Sequence, residues 1–254
     1  CVLFNHLDAK DRKLVVKSVQ EPLKEMITNK IAHLFLVHVL NNLDDTVISK
    51  KKILSDVMVT IDENINDKCF QAVYLGIINP KAKRFFTEED IIAFEAHQEH
   101  SSSKKDAAVR RMELLNIITP PLEKFFEEHM QFYLSDISKN LLLAKVFQAR
   151  IEMGDIKNSD AIDEMFRQVQ KKEQGQILIG HQDIHRCLKE LVKFDAELKD
   201  SSLDFSKTLA SVMIKNLEDC LKTRASWVFV GFLESEKTKK LVLPELKKES
   251  TIKI

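Results

Sequence analysis

The sequence predicts an all-α fold, a helical-repeat solenoid in which each unit buries its apolar face against its neighbours. Similar apolar segments recur five times. Most of them are spaced about 40 residues apart, with one interval nearly twice as long, as helical repeats are. Glycine and proline are scarce, with five of each in 254 residues. That scarcity favours long helices with short loops over a turn-rich β fold.

Each recurring segment has one anchor position, followed six and seven residues later by an apolar pair. The first segment is the stretch 29–45, NKIAHLFLVHVLNNLDD, with its anchor at His33 and the pair Val39 and Leu40. Its apolar residues recur at helical spacing, which predicts a buried helix face. The alternative is that amphipathic helices resemble one another by chance. The other anchors are Gln71, Asn140, His185 and Ser226.

The segment before the first anchored helix, 9–28, also reads as helix. Pro22 is expected near a helix boundary. The apolar spacing predicts an inward face that comprises Leu14, Val15, Val19, Leu23, Met26 and Ile27. After the first anchored helix, residues 44–46 are expected to cap the next helix, because aspartate and threonine favour N-caps. We therefore assign residues 1–80 to repeats of this kind, the first of them truncated.

Residues 81–106 read as an insertion that contains a loop and a short acidic helix. Thr87 followed by three acidic residues is a helix start signal, and His100–Ser103 reads as an exposed loop. Residues 107–254 return to repeats and end in a closing helix. Within them, Pro120 and Pro121 predict the start of a new helix, and Lys171–Gly175 predicts a turn.

Composition limits the partners and the compartment. Lys plus Arg and Asp plus Glu both total 39, so the formal net charge is zero and any basic surface must be local. The cysteines form no CxxC pair, which predicts reduced thiols rather than zinc ligands or disulfides; they are Cys1, Cys69, Cys187 and Cys220. No apolar run is long enough for a membrane span. The first residues, CVLFNHLD, read as the end of a helix, so we expect a fragment of a longer protein.

Enzyme motifs are absent from the sequence, which predicts a protein without catalytic residues or cofactors. No Gly-rich phosphate loop, HExxH or GxSxG motif occurs. His97 and His100 lie beside Glu95 and Glu99, but this stretch resembles an acidic helix more than a metal site. We therefore predict no metal ligands.

Four stretches carry a family resemblance: KDRKLVVKSV, HLFLVHVLNNLDDT, HSSSKKDAAVRRMELL and FSKTLASVMIKNL. They resemble the C-terminal half of the Puf-A family, divergent pumilio-like proteins with a CPL region, in register over nearly the whole chain. The resemblance implies a right-handed solenoid of pumilio-type three-helix repeats and no enzyme activity. It also implies a nuclear and nucleolar location, nucleic-acid binding without sequence preference, and a role in large ribosomal subunit biogenesis.

In pumilio repeats the inner helix reads one base per repeat. The resemblance places the reading positions at the anchor, the next residue and the residue four after the anchor. In the first three helices most of these positions hold apolar residues such as Leu34, Val37, Ala72 and Leu75. Apolar side chains lack directional hydrogen-bonding groups, so we predict no modular base code.

Two groups of residues remain as candidates for binding nucleic acid. His185, Arg186 and Lys189 could contact phosphates, and Trp227 could stack on a base or pack in the core. A basic cluster at the junction of the insertion forms the second group, although both groups could be ordinary solvated surface. The candidates are Lys104, Lys105, Arg110, Arg111, His185, Arg186, Lys189, Arg224 and Trp227.

The residues and the resemblance leave two functions open. One is an RNA-binding repeat domain that recognises rRNA precursors without sequence preference. Its further partners would be ribosome assembly factors. The other is a protein-interaction scaffold that docks assembly factors through the acidic insertion and apolar grooves, without direct RNA contact. The neutral net charge favours the scaffold, and the resemblance favours the RNA-binding domain.

Overall fold

The computed structural model describes residues 2–83, 85–95, 104–136, 139–154, 159–173, 176–180, 184–198 and 205–252. The chain divides into two compact units, Cys1–Leu122 and Glu123–Ile254. Both are built from helices packed on helices, so the predicted all-α fold is confirmed. The boundary between the units lies within one long helix, and the predicted three-part division at residues 80 and 107 stays a prediction.

The first unit contains nine complete helices within its described residues, with a π-helical turn, Lys50–Leu54, between the fifth and the sixth. These helices are α1 (Val2–His6), α2 (Ala9–Ser18), α3 (Leu23–Met26), α4 (Ala32–Asn42), α5 (Thr46–Ser49), α6 (Ser55–Val59), α7 (Ile61–Asn64), α8 (Lys68–Ile78) and α9 (Glu88–Glu95). The long helix α10 (Ala107–Ser135) begins in this unit.

The second unit takes up the rest of α10. A short antiparallel pair, β1 (Lys172–Glu173) with β2 (Gln176–Ile177), and a 3-10 turn, Leu178–Gly180, lie within it at the predicted turn. Its further helices are α11 (Asn140–Met153), α12 (Asp160–Gln170), α13 (Ile184–Glu197), α14 (Phe205–Ile214), α15 (Leu217–Leu221), α16 (Ser226–Glu234) and α17 (Glu236–Ile252). Helix α17 packs on α14 and α16, which confirms the predicted closing helix.

All five anchored segments are helices, namely α4, α8, α11, α13 and α16. Three of their apolar pairs are fully buried, namely Val39 with Leu40, Val146 with Phe147 and Leu191 with Val192. In the other two pairs the first residue, Ile77 or Phe232, is buried and the second is half-buried. In the first unit α4 packs against α8, and in the second unit α13 packs against both α11 and α16. Successive anchored helices within a unit are therefore neighbours, which is how stacked repeats bury their apolar faces.

Short acidic and hydroxyl side chains fix where several helices begin. Asp45 caps α5 by accepting a hydrogen bond from the Ile48 amide at 3.0 Å. Ahead of α9, the Thr87 amide donates to Asp90 Oδ2 and the Asp90 amide donates to Thr87 Oγ1. This reciprocal pair satisfies two backbone donors that a helix start leaves open, so the predicted caps of α5 and of the acidic helix are confirmed.

The predicted inward face of residues 9–28 is confirmed at Leu23 and Ile27, which are buried, but it is wrong within α2. Leu14 is 54% exposed, whereas Val16 and the side chain of Arg12 are buried. Arg12 donates from Nε to the Phe4 carbonyl oxygen at 3.1 Å and from Nη1 to the Asn42 carbonyl oxygen at 3.0 Å. A buried guanidinium that satisfies its donors in this way can occupy a core position that hydrophobic spacing assigns to an apolar residue.

The helix start predicted at the two prolines is also wrong, because α10 runs through Pro120 and Pro121. Pro120 is exposed and Pro121 is half-buried. The two backbone positions that lack an N–H donor therefore lie on the side of the helix that faces away from the core. The only non-helical backbone angles within α10 lie later, at His129, with φ −120° and ψ 17°. A continuous apolar stripe holds the helix across the prolines; it comprises Leu114, Leu115, Ile118, Leu122 and Phe126.

A buried ion pair joins three helices of the second unit. Arg150 on α11 donates from Nε to both carboxylate oxygens of Glu123 on α10 at 2.8 Å, and its Nη2 also contacts that carboxylate. Ser159, which caps α12, donates from Oγ to Glu123 Oε1 at 2.8 Å. Such a bidentate pair fixes the geometry of its helices, and removing one partner would leave an uncompensated buried charge.

Three of the four cysteines lie in helices of the described part of the chain. Cys69, Cys187 and Cys220 are free thiols, and Cys1 lies outside the described residues. Burial raises the pKa of Cys187 and of Cys220 to about 12, so these two thiols are inert packing residues. In the described part of the chain, no helix combines the length and apolar character that crossing a membrane requires.

Candidate nucleic-acid interface

A cleft of about 310 Å³ lies between the neighbouring helices α13 and α16 in the second unit. We call it the cationic cleft. It brings together all five of the candidate residues that the sequence predicts in this part of the chain. They are His185, Arg186, Lys189, Arg224 and Trp227.

Helical spacing and one glycine create the cleft. Arg186 and Lys189 are three residues apart and therefore share one face of α13, while Leu188 and Val192 of the same helix are buried. Gly231 on α16 lies against this helix: a Cβ atom there would be 3.3 Å from Val192 Cγ1 and 3.8 Å from Lys189 Cγ. The absence of a side chain at Gly231 thus permits close approach of α16 to Lys189.

Trp227 is 56% exposed, so the alternative that it packs in the core is wrong. It lies one turn before Gly231, and Lys189 Nζ lies 5.8 Å from the centroid of its ring. An ammonium at this distance interacts favourably with the ring quadrupole. Trp227 therefore presents an exposed aromatic surface, bordered by a cation, on which a base could stack.

The cations of the cleft are not neutralised by neighbouring acids. Arg186 and Arg224 are exposed and Lys189 is half-buried. Within the described ranges, no carboxylate forms an ion pair with any of these three side chains. Their charges are available for phosphate oxygens, which arginine can bind through two parallel N–H donors. His185 is only 8% exposed and forms part of the wall.

The second basic group belongs to the first unit, and its arginines are held by the protein itself. Arg110 is only 5% exposed. Its Nη1 donates to the Asn41 carbonyl oxygen at 2.6 Å, and its Nη2 donates to Asp44 Oδ1 at 2.8 Å. Arg111 donates from Nε to the Ile78 carbonyl oxygen at 2.8 Å. These bonds connect α10 to the ends of α4 and α8, which is a structural role.

The lysines of that group differ from each other. Lys105 Nζ lies 2.7 Å from Glu113 Oε2. The hydrogen bond from Lys105, together with one from Thr46, lowers the pKa of Glu113. Lys104 is exposed and donates only its backbone amide, to Asp44 Oδ2 at 2.7 Å. Phosphate binding by these four basic residues stays a prediction. None of them lines the cationic cleft.

The reading positions of the other anchored helices lie largely inside the fold. Val37, Ala72, Leu75 and Ala144 are buried. Buried apolar side chains cannot contact base edges, which agrees with the predicted absence of a base code. The anchored helices thus differ in what they expose. At the residue that follows the anchor, only α13 and α16 expose a charged or aromatic side chain, namely Arg186 and Trp227.

Metal binding finds no support in the described part of the chain, where no group of three or more potential ligands occurs. His97 and His100, the weak candidates, lie outside the described residues.

The family model for the CPL (NUC119) domain matches residues 66–204, which is more than half of the chain. The chain belongs to this family. Pumilio homolog 3 of Rattus norvegicus is 29% identical over 241 residues, covering 91% of this chain and 36% of the relative. Pumilio homolog 3 of Homo sapiens is 29% identical over 220 residues, covering 84% of this chain and 34% of the relative. The chain thus spans about a third of the length of these curated relatives.

The crystal structure of human Puf-A in complex with DNA is similar over 94% of this chain and 48% of that chain, with a TM-score of 0.80 and 27% identity. A second crystal structure of human Puf-A matches with a TM-score of 0.79. The resemblance to the Puf-A family and the predicted pumilio-type helical-repeat fold are therefore confirmed.

Sequence reasoning missed the role of Gly231. The signal was present, because Gly231 lies five residues after the anchor Ser226 and Gly76 lies five residues after the anchor Gln71. Both glycines face the preceding anchored helix, Gly76 against Val37. A comparison of the segments at this position would have indicated close helix contacts in these two repeats.

Proposed function

We propose that this chain is a sequence-independent nucleic-acid-binding repeat domain that acts on rRNA precursors in rRNA processing and large ribosomal subunit biogenesis. The observation that carries the proposal is the cationic cleft, with unpaired cations beside an exposed tryptophan. The similarity to human Puf-A, whose crystal structure was determined with DNA, supports the nucleic-acid part. A nucleolar location belongs to the same proposal, and imaging of the tagged full-length protein would test it.

Phosphate contacts supply the affinity. Arg186, Lys189 and Arg224 each bind a backbone phosphate and release its condensed counterions, a contribution that is independent of base sequence. The buried reading positions add no hydrogen bonds to base edges. Binding therefore varies little among sequences of equal length and structure.

Trp227 adds a preference for unpaired bases. Stacking of a base on an aromatic side chain contributes about 1–3 kcal/mol and tolerates every base, because all bases have a π-face. Bases of a regular duplex are already stacked on one another and cannot reach the indole without unstacking. Single-stranded or looped RNA should therefore gain from Trp227, and an intact duplex should not.

Fluorescence anisotropy with labelled RNA tests the proposal. The probes are a single-stranded rRNA fragment, its shuffled sequence and a duplex of the same length. The triple variant R186Q/K189Q/R224Q removes the three cations. The matched control K215Q/K239Q/K240Q removes three exposed lysines of the same unit that do not line the cleft. We expect the first variant to bind all three probes about tenfold or more weakly, and the control to bind within about twofold of the unmodified chain.

Two results would contradict the proposal. Equal losses in both triple variants would mean that the net charge, and not the cleft, determines binding. No binding of the unmodified chain at low salt would remove the RNA role for this part of the protein and leave the scaffold function, which the zero net charge favours.

A further inference from the structure

A second surface of the second unit has the opposite character. A groove of about 630 Å³ lies where α10 kinks at His129 and passes beside α12. We call it the acidic groove. Its lining includes four carboxylates, one amide and one aromatic ring: Glu127, Glu128, Asp136, Glu164, Gln168 and Phe132.

The carboxylates of the acidic groove are only partly neutralised. Glu164 accepts from Arg167 Nη1 at 2.9 Å, and Asp136 lies 3.4 Å from Lys139 Nζ. Glu127 and Glu128 form no ion pair or hydrogen bond through their side chains with any residue that the structure describes. No lysine or arginine is part of the lining. The groove therefore attracts cations and repels phosphates.

Phe132 shows which kind of group the groove accommodates. Its ring is 55% exposed, and Lys139 Nζ lies 3.7 Å from the ring centroid. The chain thus already places one of its own cations on this aromatic face, an arrangement stabilised by the ring quadrupole. A cation from a partner, carrying an apolar stem, would fit the same surface.

Gln168 holds one of the groove's carboxylates in place. Its Nε2 donates to Glu164 Oε1 at 2.5 Å. Because a carboxylate can only accept, this bond fixes the orientation of the amide. The remaining Oε1 atom is buried, and no described residue donates a hydrogen bond to it. The lining thus offers carboxylate oxygens and an aromatic face, beside the polar side chains of His129, Gln131 and Ser135.

We propose that the acidic groove docks an arginine-rich segment of a partner protein. Arginine combines a permanent charge, five N–H donors and a planar group that stacks on aromatic rings. These properties complement the unpaired carboxylates of Glu127 and Glu128 and the exposed ring of Phe132. Nucleic acid is excluded as the occupant, because its phosphates would face Glu127 and Glu128.

Binding of labelled hexa-arginine to the whole chain, followed by fluorescence anisotropy, tests the proposal. Hexa-lysine carries the same charge without planar groups, so tighter binding of hexa-arginine is expected. E127Q/E128Q should weaken hexa-arginine binding about tenfold, and F132A should reduce the preference for arginine over lysine. The matched control E88Q/E89Q removes two exposed carboxylates from α9 and should change the affinity less than twofold.

Three results would overturn the proposal: equal weakening by E127Q/E128Q and E88Q/E89Q, equal affinity for the two peptides, or unchanged binding by F132A. Circular dichroism of each variant establishes that it is folded. E127Q/E128Q should still bind single-stranded RNA at least as tightly as the unmodified chain. Failure of the groove and failure of the cationic cleft are therefore distinguishable.

Discussion

Replacing Gly76 with alanine tests how closely the anchored helices of the first unit pack. A Cβ atom at this position would lie 2.5 Å from Val37 Cγ1, 3.0 Å from Val37 Cγ2 and 3.2 Å from Phe86 Cζ. Val37 is fully buried on α4, and Phe86 is buried as well. The new methyl group therefore has no free space, and either Val37 or the helix backbone must move.

The cost can be estimated from the same contacts. Valine in a helix has one strongly preferred rotamer, so Val37 cannot turn away without strain. Overpacking of a core usually destabilises by about 1–3 kcal/mol, and a contact as short as 2.5 Å places Gly76→Ala at about 2–3 kcal/mol. Exchanging glycine for alanine within a helix returns about 1 kcal/mol through helix propensity. We expect Gly76→Ala to lower the free energy of unfolding by about 1–2 kcal/mol.

Gly231→Ala is the matched control, because Gly231 holds the corresponding position on α16. There the closest contact of a Cβ atom is 3.3 Å from Val192 Cγ1. A shift of a few tenths of an ångström relieves this contact, so the gain in helix propensity should offset it and leave stability within about 0.5 kcal/mol. Denaturant unfolding followed by circular dichroism measures both variants.

A double-mutant cycle isolates the contact between the two helices. Val37→Ala removes the methyl groups that the new Cβ would meet, so Gly76→Ala should be neutral or stabilising in that background. A coupling free energy of about 1 kcal/mol or more is expected for residues in such contact. Strict additivity of the two substitutions, or a Gly76→Ala variant as stable as the unmodified chain, would refute the packing argument.

Three other predictions concern an ion pair, a histidine and the tryptophan. Glu123→Gln leaves the charge of Arg150 buried without its partner and should lower the free energy of unfolding by about 3–5 kcal/mol. Glu128→Gln, at an exposed carboxylate, is the control. Equal shifts of the melting temperature in the two variants would contradict this prediction. Burial, with smaller contributions from nearby positive charges that include Arg12, lowers the pKa of His38 from 6.5 to about 4. Between these values the unfolded chain binds a proton that the folded chain does not, so stability should fall by about 3 kcal/mol as pH drops from 6.5 to 4. Denaturant unfolding across this range should show a shallower fall for His38→Gln, and parallel curves would contradict the assignment. Trp227→Ala should weaken binding to single-stranded RNA about tenfold while duplex binding changes less than twofold; equal losses on both probes in anisotropy titrations would exclude stacking.

The five anchored helices could be predicted from the sequence because helical periodicity is a local signal. Val39 and Leu40 follow their anchor at a fixed distance, and the burial of such pairs requires only that each helix meet a neighbour. The N-cap at Asp45 is likewise decided by residues within one turn. Such features depend on neighbours in the chain, and the structure agrees with them.

Other features depend on residues distant in the chain, and here the sequence misled. The burial of Arg12 requires the carbonyl oxygen of Asn42, thirty residues away. Two prolines read as a helix start, yet the apolar stripe of α10 holds the helix together. Arg110 looked like a surface cation, but Asp44 and the Asn41 carbonyl engage it.

The cationic cleft lies between these cases. Its residues could be chosen as candidates because the family resemblance placed reading positions on α13 and α16. Their convergence, the exposure of Trp227 and the contribution of Gly231 required the packing of the two helices.

The dependence of RNA affinity on salt tests the central claim most directly. If Arg186, Lys189 and Arg224 each neutralise one phosphate, R186Q/K189Q/R224Q should reduce the slope of log affinity against log salt by about 2–3, whereas K215Q/K239Q/K240Q should leave it nearly unchanged. This result would establish the cleft as the site of phosphate contact. An identical slope for the unmodified chain and the cleft variant would contradict the account, because phosphate recognition would then lie elsewhere in the protein.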